Sequence, residues 1–439
     1  MKIAYIASGA GNMYCGSCMH DNTLAAALIK LGQQVALVPT YTPMRTDEES
    51  VSIHHVFYGG INVYLQQNSS LFRHTPAAVD NLLNTEGLLK WISRFTSATD
   101  ARDLGPLTVS VLRGEEGNQR KELFKLVEWL KEEYKPDLVH LTNSMFVGFA
   151  REIKKELRVP VLCSLQGEDI FLEELTEPFK SMALGVLRER AKDMDGFIAT
   201  GKYYSDFMAR YLDIPADKIH SVRLGLNLKG HGERRSVLPD EPFRVGYLAR
   251  ICPEKGLHTL VDAFDLLLRK GVNAKLCVAG YLGKRDQHYF ESLSSRMTEM
   301  GWRDRFEYAG EVSREEKLRF LNSLHVMSVP TVYHESKGLY ILEALANGTP
   351  VVQPSHGVFP ELIEATGGGL LVDPDSPAAL AEGLNTLFVN SKLRDQLGQN
   401  GKLAVHNSFS DYDMAEETLR VYSQYVEDHL KPVGKTNHL

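Results

Sequence analysis

The sequence has few of the features that would place it in a specialised class of protein. Its 439 residues include no apolar run near the roughly 20 residues of a membrane-spanning helix, and Met1-Lys2 leads directly into a strand-like run. We therefore expect neither a membrane-spanning helix nor a signal peptide, and any membrane association would be peripheral. The net charge of −7 argues against a general nucleic-acid binder and against strong adhesion to anionic membranes. Five cysteines, an odd number, indicate reduced thiols and a cytoplasmic protein.

What is present is an ordinary soluble composition, with 43% hydrophobic and 24% charged residues, in a chain long enough for two or three domains. Short apolar β-type runs alternate with helical patterns almost throughout. The first series of runs reads KIAYIAS, QVALVPT, DLVHLTN, VPVLCSLQ and GFIATG, and the second reads FRVGYLAR, AKLCVAG, FEYAG, HVMSVPT, PVVQPS and GLLVDP. Runs that are apolar on both faces and separated by helices are typical of parallel strands. The fold class is therefore α/β, with two Rossmann-like, doubly wound domains.

A polar stretch rich in Gly and Pro, residues 227–242, separates the two series and reads as a linker. We place the first domain at residues 1–228, with an insertion at about 43–122, and the second at 242–410. Ligands of open α/β sheets bind beyond the carboxyl ends of the strands. Two such domains facing one another would form a ligand-binding cleft.

The stretch HESKGLYILEALANGTPVV, which begins at His334, holds two glutamates with seven residues between them, Glu335 and Glu343. A helix should start near Gly338 or Leu339, and the free N–H groups of a first helical turn attract phosphate. Glu343, about one turn inside, could accept hydrogen bonds from the diol of a ribose. Glu335, in the preceding loop, would lie near a transferable sugar. The alternative is a polar loop followed by an ordinary surface helix.

Two cations strengthen the first interpretation. Arg250 ends the strand FRVGYLAR, and Lys255 follows five residues later, where the next helix begins. Fixed cations at these ends would stabilise a departing diphosphate. As isolated residues, both could equally be solvated surface charges.

Together, these motifs resemble the donor domain of the retaining GT-B glycosyltransferases, family-4-like (glycosyl transferases group 1). The similarity covers nearly all of residues 243–390. The first domain resembles the same superfamily more loosely: CGSCMHDNTLAAALIKLGQQV fits the family's first loop and helix, with Cys15-Gly16 where Gly-Gly is usual. The family's C-terminal helix often returns to the first domain, and residues 411–431 would do so here.

The resemblance implies a role for each matching residue. Arg250 and Lys255 would hold the donor diphosphate, and Glu335 would contact hydroxyls of the donor sugar. The amides of Gly338 and Leu339 would complete this contact. Glu343 would bind the ribose. Gly16 and Ser17 would approach the diphosphate from the first domain.

The resemblance also implies a reaction. A hexosyl unit would pass from a nucleoside diphosphate sugar to a small-molecule acceptor with retention of configuration, and the departing phosphate would help to remove the acceptor proton. No cofactor and no metal ion are implied for the chemical step.

The sequence departs from the family pattern at one position. Gln166, in SLQGEDIF, stands where many members carry a histidine near the reacting carbon. A glutamine cannot shuttle a proton, although it can hydrogen-bond a sugar. Asp169 is a candidate for orienting the acceptor, whereas Glu168 could simply cap a helix. His140, at the end of another strand, is a second acceptor-side candidate or a structural hydrogen-bonding residue.

Other readings of the sequence remain open. Cys15 and Cys18 form a C-x-x-C without a second cysteine pair nearby, which favours a tight loop over a zinc or redox site. The glycines after the first strand do not have the G-x-G-x-x-G spacing of a dinucleotide loop. Alternatives to a transferase are a sugar-nucleotide epimerase of the same fold and a catalytically silent nucleotide- or sugar-binding module.

Overall fold

The computed structural model describes residues 1–9, 15–53, 57, 63, 66–67, 104–232 and 241–431. Most of the predicted insertion lies outside them. The chain divides into two compact units, one comprising Met1–Gly225 with Tyr412–Leu439 and the other comprising Leu226–Asp411. Each unit is built around its own parallel sheet. The α/β class with two doubly wound domains is thereby confirmed.

The sheet of the first unit has the strand order β2-β1-β3-β4-β5-β6, with every pair parallel. Its strands are β1 Lys2–Ala7, β2 Gln34–Pro39, β3 Leu138–Leu141, β4 Val161–Leu165, β5 Gly196–Ala199 and β6 Ile219–Ser221. The α-helices in the described part of this unit are α1 Gly16–Lys30, α2 Gly105–Leu112, α3 Arg120–Trp129, α4 Ala150–Leu157, α5 Glu168–Glu174, α6 Phe179–Arg190 and α7 Lys202–Tyr211.

The sheet of the second unit has the order β12-β11-β10-β7-β8-β9, again parallel throughout. Its strands are β7 Phe243–Leu248, β8 Ala274–Ala279, β9 Phe306–Tyr308, β10 Val326–Met327, β11 Val351–Pro354 and β12 Gly369–Val372. Its α-helices are α8 Leu257–Arg269, α9 Gln287–Glu299, α10 Arg314–Asn322, α11 Leu339–Ala346, α12 Phe359–Thr366, α13 Pro377–Val389 and α14 Ser391–Ser408.

The last helix, α15 Asp411–Leu430, packs on the first unit. Its apolar residues Met414, Ala415 and Tyr422 are buried in one cluster with side chains of β1 and α1. The Tyr422 hydroxyl hydrogen-bonds the ring of His140, which lies in β3. Helix α15 therefore completes the core that β1 and α1 form. Among the described residues, no helix has both the length and the apolar character needed to span a bilayer.

The start of the linker predicted from the sequence is bound to the second unit. Arg314 donates to the carbonyls of Asn227 and Lys229 at 2.8 and 2.9 Å, and the Gly232 amide donates to the Asn347 side chain at 3.1 Å. The unit boundary accordingly falls between Gly225 and Leu226. Residues 233–240 lie outside the described part of the chain.

Two neighbouring loops of the second sheet are fastened together at Gly256. Strands β10 and β7 are adjacent, and the Val332 amide, after β10, donates to the Glu254 carbonyl, after β7, at 3.0 Å. Gly256 has φ +71°, and a Cβ there would lie 1.8 Å from the Pro330 carbonyl oxygen. Only glycine allows this backbone to come so close.

Replacing Gly256 by alanine should therefore separate the two loops. Gly271→Ala is the matched control, because Gly271 has φ +83° and a Cβ there meets nothing within 4 Å. We expect the control to lower the free energy of unfolding by roughly 1 kcal/mol from backbone strain alone, and Gly256→Ala to lower it by about 3 kcal/mol because the steric clash is added. Urea unfolding measures both values. Equal losses for the two variants would show that the close approach is not required.

Candidate functional site

The centre of the candidate site is an ion pair formed across the two fastened loops. Lys255 Nζ lies 2.6 Å from Glu335 Oε2, although 80 residues separate them in sequence. The ammonium group also lies 5.0 and 5.2 Å from the ring centroids of Tyr333 and Tyr340, within the range of cation–π attraction. The Lys255 side chain remains 18% exposed. It is thus held in place while keeping access to solvent.

The Glu335 carboxylate is surrounded by donors. Besides Lys255, the hydroxyls of Tyr333 and Tyr340 donate to Oε2 at 3.1 and 3.0 Å. The amides of Ser336 and Lys337 donate to Oε1 at 3.2 and 3.4 Å. A carboxylate offers roughly four lone-pair positions, so these five hydrogen bonds leave little further acceptor capacity. Glu335 is accordingly an anchor for the loop and for Lys255.

Electrostatics keep Glu335 ionised. Its side chain is 5% exposed, and burial alone would raise its pKa. The charge and hydrogen bond of Lys255, with the Tyr340 hydroxyl and the Lys337 amide, outweigh burial and lower the pKa of Glu335 to about 2. A group with this pKa is an anion at neutral pH and holds no proton that it could donate as a general acid.

The helix α11 begins beside this pair. Gly338 is its N-cap with φ +67°, and the first turn, from Leu339, contains no acidic residue. The backbone N–H groups of a first turn lack partners within their helix, and they give this end a partial positive charge. The predicted helix start at Gly338 or Leu339 therefore matches the observed one.

Glu343 lies just over one turn inside α11 and is 4% exposed. Its Oε1 atom is paired with the ammonium group of Lys317, from α10, which is 6% exposed. Lys317 was not among the residues selected from the sequence. Its signal was available, because Lys317 and Leu321 lie four residues apart on the buried face of α10. A lysine at such a position indicates a buried partner.

Arg250 lies just beyond the end of β7, and its side chain is exposed. Its carbonyl accepts a hydrogen bond from the Tyr247 hydroxyl at 3.1 Å, and the Ile251 amide donates to the Tyr281 carbonyl at 2.8 Å. The backbone around Arg250 is therefore fixed, while the residue as a whole remains exposed. Burial and the nearby charge of Glu335 raise the pKa of the Tyr333 phenol. The charge of Arg250 is close enough to oppose this shift. Arg250 thus belongs to the same corner as Lys255.

The first unit has a separate polar cluster around Asp21, which sequence reasoning missed. Asp21 is buried in α1 and accepts hydrogen bonds from Tyr5 at 2.7 Å, Thr142 at 2.5 Å and Gln166 at 2.8 Å. Burial would raise the pKa of Asp21, but the bonds from His20, Thr142 and Tyr5 lower it. An aspartate inside the long buried segment of α1 was the available signal.

This network determines the positions of the acceptor-side candidates. The Gln166 amide nitrogen also donates to the Thr142 carbonyl at 2.7 Å, so the side chain is fixed after β4. Asp169 accepts from the Tyr204 hydroxyl at 2.6 Å and is partly buried. Glu168 accepts from the amides of Gln166 and Ser144, each at 2.7 Å, and so ties the loop after β4 to the loop after β3.

His140 occupies a structural position, in agreement with the alternative that it is a structural hydrogen-bonding residue. It is fully buried and stacks on Tyr5 with ring centroids 4.3 Å apart. One ring nitrogen bonds the Tyr422 hydroxyl, and the other lies 2.8 Å from Ser164 Oγ. Burial lowers the pKa of His140 to about 3, so the ring is neutral at physiological pH. Both ring nitrogens are thus engaged by neighbouring hydroxyl groups.

Gly16 and Ser17 form the first turn of α1, with Cys15 as N-cap. Gly16 is exposed and a Cβ there would meet nothing within 4 Å, so its backbone is accessible to a ligand. Neither Cys15 nor Cys18 forms a disulfide bond. Within the described ranges, no group of three or more His, Cys, Asp or Glu side chains is arranged to hold a metal ion.

Comparison with known families agrees with the division into units. Residues 232–404 match the family described as "Glycosyl transferases group 1", and residues 89–229 match "Glycosyltransferase Family 4". Together, the two matches cover more than half of the chain. An uncharacterized glycosyltransferase of Methanocaldococcus jannaschii is 29% identical over 241 residues, which are 52% of this chain and 60% of that protein. The chain spans about half the length of the curated relatives it matches.

Solved structures share the fold of the whole chain. Sucrose-phosphate synthase from Thermosynechococcus elongatus has a TM-score of 0.71 and 19% identity, with 97% of this chain and 99% of that chain covered. Anabaena HepE, solved in complex with UDP, has a TM-score of 0.67 and 17% identity, with 97% and 100% covered. At these identities, the likenesses establish the fold, which is GT-B.

Lys255→Met tests the ion pair because it removes the charge and keeps the apolar stem. In the wild type, the pKa of Glu335 is lowered by folding, so its stabilising contribution is complete above about pH 5 and is lost as the pH falls toward about 2. In the variant, a buried carboxylate loses its cation, and we expect roughly 3 kcal/mol less stability at pH 7. This deficit should shrink toward pH 4.5, where Glu335 of the variant takes up a proton.

Urea unfolding at pH 7 and pH 4.5 measures the change in this deficit. The double variant Lys255→Met/Glu335→Gln is the control, because it has no carboxylate to protonate and its deficit should not vary with pH. A single-variant deficit that is the same at both pH values would contradict the assigned charge state of Glu335.

Proposed function

The chain belongs to the group 1 glycosyltransferases, and from that premise we propose that it transfers a hexosyl unit from a nucleoside diphosphate sugar to a small-molecule acceptor. The transfer retains the anomeric configuration, and the chemical step requires neither a metal ion nor a cofactor. The observation that carries the proposal is the Lys255–Glu335 pair at the start of α11. It presents a partly exposed cation beside a helix N-terminus, which together suit a diphosphate.

Lys255 is the principal contact to the diphosphate in this proposal. An ammonium group has three N–H donors, and one of them is directed to Glu335. The remaining donors can reach a phosphate without loss of the anchoring bond. The two tyrosine rings and Glu335 restrict the side chain before the donor arrives, which lowers the entropy that binding must remove. Arg250 adds a second, exposed cation in the same corner.

The role of Glu335 follows from its crowded surroundings. Its five donors leave little capacity for sugar hydroxyls, so the contact implied by the family resemblance requires that one donor give way. The amides of Gly338 and Leu339, at the helix start, offer the sugar and phosphate donors that have no partner within the helix. We therefore assign to Glu335 the orientation of Lys255. The acceptor proton then passes to the departing phosphate, as the retaining mechanism of the family implies.

Glu343 binds the ribose in this proposal. It lies on the same helix that presents its N-terminus to the diphosphate, four residues beyond Leu339. Residues four apart lie on the same face of a helix, so phosphate and ribose would contact one side of α11. An ionised carboxylate can accept hydrogen bonds from both hydroxyls of a vicinal diol.

The first unit supplies the acceptor side and further donor contacts. We propose that Gly16 and Ser17 contribute the accessible backbone of the α1 N-terminus to the diphosphate. Gln166, just after β4, and Asp169, in the first turn of α5, remain the candidates for orienting the acceptor, since both are fixed by hydrogen bonds. The protein would be a cytoplasmic enzyme of carbohydrate biosynthesis.

A panel of UDP-, GDP- and ADP-sugars tests the reaction class. We expect slow release of the nucleoside diphosphate from one donor of the panel, because group transfer to water replaces the missing acceptor, and no change of rate with EDTA. Chromatographic detection of nucleotide and sugar follows the products. Interconversion of the sugar without nucleotide release would indicate an epimerase, and binding without turnover would indicate a silent module; either outcome would overturn the proposal.

Lys255→Met should mainly reduce turnover, because the charge on the diphosphate grows as the glycosyl bond breaks. We expect kcat to fall by about 100-fold or more, the usual effect of removing one electrostatic contact of this kind. Lys270→Met is the control: Lys270 pairs with Glu382 on the surface of the same unit. An unchanged kcat in Lys255→Met would refute the role of Lys255, whereas similar losses in both variants would indicate a nonspecific effect.

A further inference from the structure

The pair of Lys317 and Glu343 is unusually deeply buried for two charged side chains. Lys317 is 6% and Glu343 is 4% exposed, and the Lys317 ammonium contacts Glu343 Oε1. Removing two charges from water is costly, and apolar side chains of similar volume often replace such pairs without loss of stability. A purely stabilising role therefore explains the pair poorly. Its place beside the proposed donor site indicates a role in ligand recognition.

Lys317 is held by a rigid element. Its helix, α10, begins with a capping box in which the Ser313 and Glu316 side chains and backbone bond one another. At its other end, the Leu321 carbonyl accepts a hydrogen bond of 3.0 Å from Thr349 Oγ1, in the loop after α11. The two helices are thus linked independently of the ion pair. The ammonium group has a fixed position from which it can orient the carboxylate.

Glu343 is equally restricted on its own helix. The Asn347 side chain donates to the Glu343 carbonyl at 2.8 Å and accepts from the Gly232 amide at 3.1 Å. The backbone at Glu343 is therefore pinned, and rotation of the side chain is the remaining freedom. The contact with Lys317 removes that freedom.

We propose that Lys317 is a positioning residue that keeps Glu343 ionised and oriented for the two ribose hydroxyls, so that the site selects ribonucleoside over 2′-deoxyribonucleoside diphosphates. The inference rests on the proposed function, in which Glu343 binds the ribose. Its physical basis is the acceptor capacity of the carboxyl group. An ionised carboxylate accepts from both hydroxyls, whereas a protonated one loses acceptor capacity and becomes a donor. Burial without a cation favours the protonated form.

The test compares the binding of a nucleoside diphosphate and its 2′-deoxy counterpart by isothermal titration calorimetry. UDP, GDP and ADP are screened first, and the one that the wild type binds best is used. We expect the wild type to prefer the ribonucleotide by about 10-fold or more, since hydrogen bonds to charged groups are the strong ones. In Lys317→Met, the ribonucleotide should lose about 10-fold in affinity, while the 2′-deoxynucleotide should lose little. The preference should therefore nearly disappear.

Three further variants separate orientation from general damage. Thr349→Val removes the hydrogen bond from the loop after α11 to α10 without touching a charge, and its preference should equal that of the wild type. Lys317→Arg retains the charge and should keep part of the preference. Lys317→Gln retains a donor without the charge; it should lose the preference and serves as the second test if the methionine variant does not fold.

Glu343→Gln separates failure of this inference from failure of the proposed function. If Glu343→Gln loses the ribose preference but Lys317→Met and Lys317→Gln keep it, Glu343 binds the ribose without help from Lys317, and the inference is overturned alone. If the wild type shows no ribose preference, or if Glu343→Gln keeps it, the ribose assignment itself is wrong and the inference falls with it. Loss of the preference in Thr349→Val would show that helix packing, rather than the charge of Lys317, orients Glu343.

Discussion

The candidate site depends on one close approach, between the backbone at Gly256 and the Pro330 carbonyl. Strands β7 and β10 are neighbours, so their following loops emerge at the same edge of the sheet. Adjacency alone, however, leaves several ångströms of uncertainty between side chains. The missing Cβ of Gly256, together with the bond from the Val332 amide to the Glu254 carbonyl, brings Lys255 within 2.6 Å of Glu335. The ion pair, the tyrosine contacts and the exposed face of Lys255 all follow from that approach.

Three buried carboxylates at the candidate sites are each contacted by a specific set of donors. Glu335 has a lysine, two phenols and two amides; Glu343 has Lys317; and Asp21 has a phenol, a threonine, a glutamine and a histidine. An unpaired carboxylate in such surroundings would take up a proton. Glu335 and Asp21 therefore each present a fixed negative charge, which is suited to orienting cations and hydroxyls. In the proposed reaction, proton transfer would fall to other groups.

Local patterns predicted the framework well, because parallel strands buried on both faces are continuous apolar runs. Eleven such runs coincide with observed strands, from Lys2–Ala7 to Gly369–Val372. The strand Ile219–Ser221 was missed, since it is a three-residue edge strand with no fully buried side chain. The partners of the charged residues were missed for a different reason. Lys317 meets Glu343, and Asp21 meets Tyr5, Thr142 and Gln166, only through tertiary packing. Their one local signal is a charge on a buried helical face.

The pair of glutamates shows how a sequence spacing can have a meaning other than helical periodicity. Glu335 and Glu343 are eight residues apart, a separation that would put two side chains on roughly one face of a continuous helix. The helix starts only at Leu339, after Gly338 has turned the chain through a left-handed conformation. Glu335 therefore belongs to the loop and points to the cation after β7, whereas Glu343 belongs to the helix and meets the cation of α10. The helix start lies between them, with one lysine serving each acid. A donor that places its diphosphate at the helix start and its ribose along the helix would meet two independently fixed charges. In that arrangement, the eight-residue separation of the two glutamates would correspond to the distance between the diphosphate and the ribose.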